Sequence, residues 1–263
     1  MSDPFHRDWF PSEDEADPVR AAQQAMKPVL PKRFYKDATV EERDGLFLLT
    51  LDGRTARTPG RQPLAVPNRA LGEAMADEWQ RQGDQIDPRS MPVTRIVNSA
   101  IDGVGSRRAE VVEDLVRYAG SDLICYRAGE PARLVVAQEA AWNPVLDWVR
   151  ETYDARFSLA EGVMHVVQPE PAIASIRGQV EGITSPFALA ALHVMTTLTG
   201  SILIALAHGA GRLDAEEAWN AAHVDEHYQE SIWGEDHEAA ARRQSREAEF
   251  RAASRVFQLT AAE

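Results

Sequence analysis

Ser185–Gly211 reads SPFALAALHVMTTLTGSILIALAHGAG, and whether it crosses a membrane or fills a core decides the fold. No Asp, Glu, Lys or Arg falls between Phe187 and Gly211, enough apolar chain to span a bilayer as a helix. Ser185 supplies a capping hydroxyl, and Pro186 takes the first helical position, where its missing N–H costs little. Against a span stand His193, Thr196, Thr197, Thr199, Gly200 and Ser201, and neither an aromatic belt nor a basic flank follows Gly211. The next charges are mixed, Arg212 and then Asp214. A solitary anchor would also place acidic folded regions on both sides of a bilayer. The segment is therefore read as a central helix enclosed by others, with no stable membrane insertion. An anchor over 187–207 is the rival reading.

Toward the N-terminus the pattern changes to β. RFYKDATVEERDGLFLLTLDGRTARTPGRQPLAVP (33–67) carries Asp44-Gly45 and Asp52-Gly53 between apolar or alternating runs, the strongest short hairpin signal. Phe47, Leu49 and Leu51 share one strand face, so a small antiparallel sheet is expected over about 33–66. At Asn68, a suitable N-cap, the period becomes helical, with Leu71, Met75 and Trp79 on one face. A short buried helix is expected over Val93–Ile101, then one capped by Ser106, and one beginning at Asn143-Pro144. GVMHVV (162–167) reads as extended, 171–182 as helix, and three helices follow from 186 to the end. The expected class is α+β: a mobile acidic tail over 1–27, a β-rich N-terminal domain over 28–92 and a larger helical domain over 93–263.

The balance of 28 Lys plus Arg against 41 Asp plus Glu gives a net charge of −13, which opposes nucleic-acid and anionic-membrane binding. The single cysteine, Cys125, excludes an internal disulfide; between apolar and aromatic neighbours it reads as a buried, inert thiol. MSDPFHRDWFPSEDEADPVR (1–20) lacks the apolar run of a secretory signal and is too acidic for a mitochondrial presequence, which suggests a cytoplasmic protein.

His223-Val224-Asp225-Glu226-His227 fits H-x-x-E-H, a zinc-hydrolase pattern. Asp214 is a good N-cap for AEEAWNAAHVDEHYQESIW (215–233), and on one helix His223 and His227 lie a turn apart, within reach of a common metal. A catalytic zinc needs a third protein ligand, and Glu230 is too near along the same helix to complete a good tetrahedral site. No phosphate loop or nucleophile elbow is present. Arg54, Arg57 and Arg61 read as the solvated face of a hairpin rather than an anion site. The residues alone give a protein with no convincing catalytic set and no required cofactor, with a zinc-dependent hydrolase on His223 and His227 as the alternative.

RFYK (33–36), LDGRTARTP (51–59), LAVP (64–67), EWQRQGDQIDPRSMPVTRIVNSAID (78–102), DLICYR (122–127), SILIALA (201–207) and DEHYQESIWGEDHEA (225–239) follow one another in an order and spacing that resemble the F1 ATP synthase assembly chaperones of the ATP-twelve family. The resemblance runs from about Arg33 to near Phe257. It implies a β-rich N-terminal and a helical C-terminal domain, and a non-enzymatic role: binding the unassembled α subunit and shielding a surface that β later covers. The acidic N-terminus differs from the presequences of mitochondrial members and suggests a bacterial, cytoplasmic relative, expected to be a monomer. Within the family's DExYQ pattern the matching positions are Glu226, Tyr228 and Gln229. The resemblance implies client-binding candidates at Glu226, Asp225, Gln229, Trp233, Gly234, Glu235 and Asp236. Trp79, in EWQ, is expected to pack and to dock the two domains.

Overall fold

The structure is a computed structural model that describes residues 30–261 other than 163 and 235; the tail read over 1–27 lies outside the described residues. The chain divides into two compact units. Of the described residues, the smaller takes in 30–34 and Gln82–Asp87. Within it Lys32 bridges Gln85, the Arg33 N–H donates to Asp84 O (2.9 Å) and the Ile86 N–H to Pro31 O (2.8 Å). All that follows belongs to the larger unit, 35–81 with 88–261.

The sheet comes first. Strands β1 (Ala38–Arg43) and β2 (Leu46–Leu51) pair antiparallel from Ala38↔Leu51 to Arg43↔Leu46. Their turn places Asp44 and Gly45 at φ of 55° and 77°, as a tight hairpin requires. Asp52-Gly53 repeats the device before β3 (Arg54–Thr55), and β4 (Ala65–Val66) pairs with β2. Leu48 through Leu51 are all buried, so β2 is covered on both faces rather than the single face expected. Helix α1 (Arg69–Gln80) begins where Asn68 Oδ1 accepts the Leu71 N–H and lays Leu71, Ala74 and Met75 on the sheet. The approach is close: a Cβ at Gly72 would lie 3.0 Å from Val40 Cγ1.

Distant carboxylates then fasten one segment to the next. Glu78 is buried and accepts the Val93 and Thr94 N–H groups (2.7 and 2.8 Å), capping α2 (Pro92–Ser99). Desolvation pushes its pKa up against those hydrogen bonds. Asp102, in the π-helical turn Ala100–Val104, accepts from Thr58 Oγ (2.6 Å) and the Gly60 N–H (2.8 Å) of the sheet's loop. Helix α3 (Arg108–Gly120) follows; Ser106 does not cap it, its hydroxyl donating back to Gly103 O (3.1 Å), because the π turn runs almost directly into the helix.

Helix α4 spans Ala132–Tyr153 without a break, so Pro144 lies inside it and does not start it. The carbonyl of Ala140 that Pro144 cannot serve is on an exposed stretch, which reduces the cost. β5 (Tyr126–Arg127) and β6 (Ala160–Glu161) form a short parallel pair, and none of the described residues of GVMHVV is in a strand. Helix α5 is Glu170–Gly182.

The long uncharged stretch is two helices. α6 (Pro186–Thr199) starts with Ser185 Oγ accepting the Ala188 N–H and ends at Gly200, φ +67°, after which α7 (Ile202–Gly209) begins. No helix among the described residues is long and apolar enough to cross a membrane. The fully buried Asp122 carboxylate accepts the Leu203 N–H (3.1 Å) and the Ile124 N–H (3.2 Å), holding the α7 start beside the DLICYR segment. Burial pushes Asp122 up to about 6. Burial, together with Asp122, pushes the Cys125 thiol up to about 12, so it is buried and inert as expected. Among the described residues five helices, not three, run from 186 onward: α6 and α7, then α8 (Ala215–Ala222), α9 (Val224–Trp233) and α10 (His237–Thr260). α10 packs along α6 and buries Phe250, Ala253, Val256 and Phe257. The class is α+β, a small antiparallel sheet followed by a larger helical part.

Candidate functional site

Asp214 starts α8 with a complete capping box: its side chain accepts the Glu217 N–H while Glu217 accepts the Asp214 N–H, each at 2.8 Å. The helix does not continue to Trp233. It breaks at His223 (φ −118°, ψ 27°), which lies 3.8 Å above the Trp219 ring, its Nδ1–H donating to Trp219 O (2.8 Å). Burial lowers the imidazole's pKa.

Beyond the break, α9 has no buried residue. Two contacts from α4 fasten its base. Gln138, only 2% exposed, accepts the Ala128 N–H through Oε1 (2.8 Å) and donates through Nε2 to Asp225 (2.7 Å). Trp142 Nε1–H donates to Ala221 O (2.6 Å), immediately before the break. Sequence reasoning missed both residues. The signal was there: Gln138 occupies the same buried stripe of α4 as Trp142, Val145 and Val149, a polar group among apolar ones.

From that base the structure brings Glu226, Gln229 and Trp233 to one flank of α9, lining a groove of ≈ 390 Å³ against the start of α10. Glu226 has no cationic partner among the described residues, whereas Glu230 is paired with Arg243. Trp233 is 85% exposed, and Ile232 beside it 53%. Such exposure rules out core packing for Trp233. Gly234, at φ +83°, turns the chain, and Asp236 caps α10 by accepting the Glu238 and Ala239 N–H groups (2.9 and 3.3 Å). Asp225 is held by Gln138, so Asp225, Gly234 and Asp236 are already engaged in building the site. Glu235 lies outside the described residues.

Trp79 is remote from this groove. It is half-buried on α1, its ring 5.6 Å from that of Tyr35, whose hydroxyl donates to Trp79 O (2.6 Å). Its neighbours Glu78 and Gln80 cap α2 and accept the Ala38 N–H (2.8 Å). The EWQ motif therefore builds the fold around the sheet.

The zinc alternative on His223 and His227 fails on geometry. Their ring centroids are 6.5 Å apart, and among the described residues no group of three His, Cys, Asp or Glu side chains converges where a metal could sit. An aromatic and a free carboxylate on a helix with nothing buried suit a protein that holds another protein.

Comparison with known proteins gives the family. Residues 32–150 match the model of the ATP12 chaperone protein. The crystal structure of a candidate chaperone from Agrobacterium tumefaciens is 48% identical, with a TM-score of 0.84 over 95% of this chain and 93% of that one. Atp12 from Paracoccus denitrificans is 40% identical, with a TM-score of 0.80 over 88% and 98%. The mitochondrial protein atp12 of Schizosaccharomyces pombe is 24% identical over 215 residues, 77% of this chain and 74% of that one. The chain belongs to the ATP12 chaperone family, the ATP synthase assembly chaperones whose motif order it shares.

Proposed function

We propose that this chaperone binds the free α subunit of F1 and shields its subunit interface until β replaces it. A free subunit exposes apolar interface surface that aggregates or pairs wrongly. A stoichiometric binder of moderate affinity delays this, and β displaces it by mass action without nucleotide hydrolysis by the chaperone. The carrying observation is the flank of α9 on which Glu226, free of a cationic partner among the described residues, stands one and two turns from Gln229 and Trp233. Glu226 pairs with an Arg or Lys of the client, giving selectivity; Trp233 is the anchor beside it. The protein works as a cytoplasmic monomer and is not an enzyme.

The test is capture of purified F1 α and β subunits by wild type and by Glu226→Lys. Selective retention of α, lost in a folded Glu226→Lys variant, supports the reading. Retention of neither subunit, or equal retention by both forms, overturns it.

A further inference from the structure

Behind the base of α9 stands a second layer of contacts. Strand β5 closes at Arg127, Ala128 follows it, and both reach the α4 side chains that hold α9. The Arg127 guanidinium carbon lies over the Trp142 ring, 5.0 Å from its centroid, and the Ala128 N–H donates to Gln138 Oε1 (2.8 Å). Trp142, 1% exposed, donates in turn to Ala221 O, and Gln138 to Asp225. Two adjacent residues thus back both ties into the α8–α9 break. They are themselves anchored: Arg127 Nε donates to Ile124 O (2.9 Å), and Arg127 O accepts the Gly162 N–H (2.9 Å) beside β6.

Fold stability does not account for this guanidinium. Its Nη2 is buried with no hydrogen-bond partner among the described residues, and a buried donor left unmatched costs stability. Burial also pushes its pKa down, with the exposed Glu139 attracting it through space. A methionine would fill similar volume without that cost while giving up the bond to Ile124 O, so gain and loss offset. What methionine cannot supply is a cation on the indole face, a contact that weighs most where water is excluded, as it is around Trp142.

We propose that Arg127 is a positioning residue for the α9 site: resting on Trp142, it keeps the indole N–H on Ala221 O and so fixes where Glu226 and Trp233 stand. Because α9 buries no residue of its own, its pose is set at its base. The effect on binding rests on the reading that α9 holds the client; the hold of Arg127 on α9 does not.

Hydrogen exchange on the full chain, with no client present, reads that hold directly. In Arg127→Met the α9 amides should exchange about fivefold faster than in wild type. Exchange in α6 should not change, and the thermal midpoint should move by no more than about 3 °C. Arg127→Lys, which returns a cation to the ring, should bring α9 to within about twofold of wild type. Trp142→Phe keeps a ring but removes the N–H; Arg127→Met added to it should loosen α9 little further, since the two act in series. The Met and Lys variants decide the matter if Trp142→Phe does not fold. Capture of F1 α by Arg127→Met should weaken at least about twofold, following the fraction of α9 that leaves the binding pose. Unchanged α9 exchange in Arg127→Met, equal loosening of α6 and α9, no recovery in Arg127→Lys, or undiminished capture by a loosened variant overturns the proposal. If wild type itself captures no α, the client reading fails, while exchange still decides the hold of Arg127 on α9.

Discussion

Exposure separates Trp233, at 85%, from Trp142, Trp219 and Phe250, which are buried. A tryptophan ten residues into an amphipathic stretch is by default core, and nothing local says otherwise; only the break at His223, which lifts α9 away from packing, leaves the ring in water. Trp233→Ala should therefore change stability by no more than about 0.5 kcal/mol while weakening client capture by about tenfold or more; thermal melts and the α pull-down measure the two separately. Asp122 is the converse, a residue whose importance is entirely internal. Its partners are two residues and eighty-one residues away, so spacing cannot reveal it. Its pKa is raised from 3.8 to about 6 in the folded chain. Between those values the native state binds more protons than the unfolded state, so this group's contribution is greatest below about pH 4 and falls as pH rises through 6. A shift of roughly two units corresponds to about 3 kcal/mol across that window. Asp122→Asn removes the titration and leaves one of two N–H donors poorly served. Denaturant unfolding from pH 4.5 to 7.5 should show a wild-type advantage over the variant that is largest at the acid end and shrinks toward neutrality.

At the scale of elements, what was legible and what was not divides by the range of the interaction. Asp44-Gly45 and Asp52-Gly53 were readable because a tight hairpin turn needs positive φ at adjacent residues, a demand met within the turn itself. The caps Asn68, Ser185 and Asp214 were readable for the same reason, each acting on an N–H three residues on. Gly200 was not. A glycine in an apolar run also serves close packing, and the break is held both by Ser201 Oγ, which accepts the Ile204 N–H (3.0 Å), and by the Asp122 carboxylate, arriving from elsewhere to hold the Leu203 N–H. Pro144 misled for a related reason: its cost in a helix depends on whether the freed carbonyl reaches water, which burial decides. Gly200→Ala tests the break. A Cβ there would sit 3.7 Å from Leu123 Cβ, an ordinary contact, so the penalty is backbone strain alone. A loss of about 1–2 kcal/mol is expected from denaturant unfolding. The α9 break yields a second expectation. With no buried residue and its base held by Gln138 and Trp142, α9 should exchange its amide hydrogens well before α6, and Gln138→Ala should accelerate exchange in α9 while α6 stays protected.

Across the whole molecule, the motifs that carried the family resemblance prove largely to be each other's partners. Tyr35 of RFYK meets Trp79 of EWQ, Thr58 of RTARTP meets Asp102 of NSAID, and Asp122 of DLICYR meets Leu203 of SILIALA. Their order along the chain thus encoded the fold, whereas the proposed binding flank rests on the last motif alone. The same ties join the sheet to the helices. Asn68, while capping α1, donates through Nδ2 to Leu259 O (2.8 Å) near the end of α10, and Arg95 of α2 pairs with Glu249 (2.8 Å). A sheet of this size has little core of its own, and its contacts with α1 are backed by the last turns of α10. The sheet and helices of 35–81 and 88–261 should therefore unfold in one transition. Coincident denaturation curves from tryptophan fluorescence and far-ultraviolet circular dichroism are expected. Truncation after Glu249 removes Phe250, Val256, Phe257 and the Leu259 carbonyl, and should abolish the native signal of both sheet and helices. A truncated chain that kept a folded sheet while losing its helical transition would mean that the sheet stands alone and that the Asn68–Leu259 tie joins two independent parts.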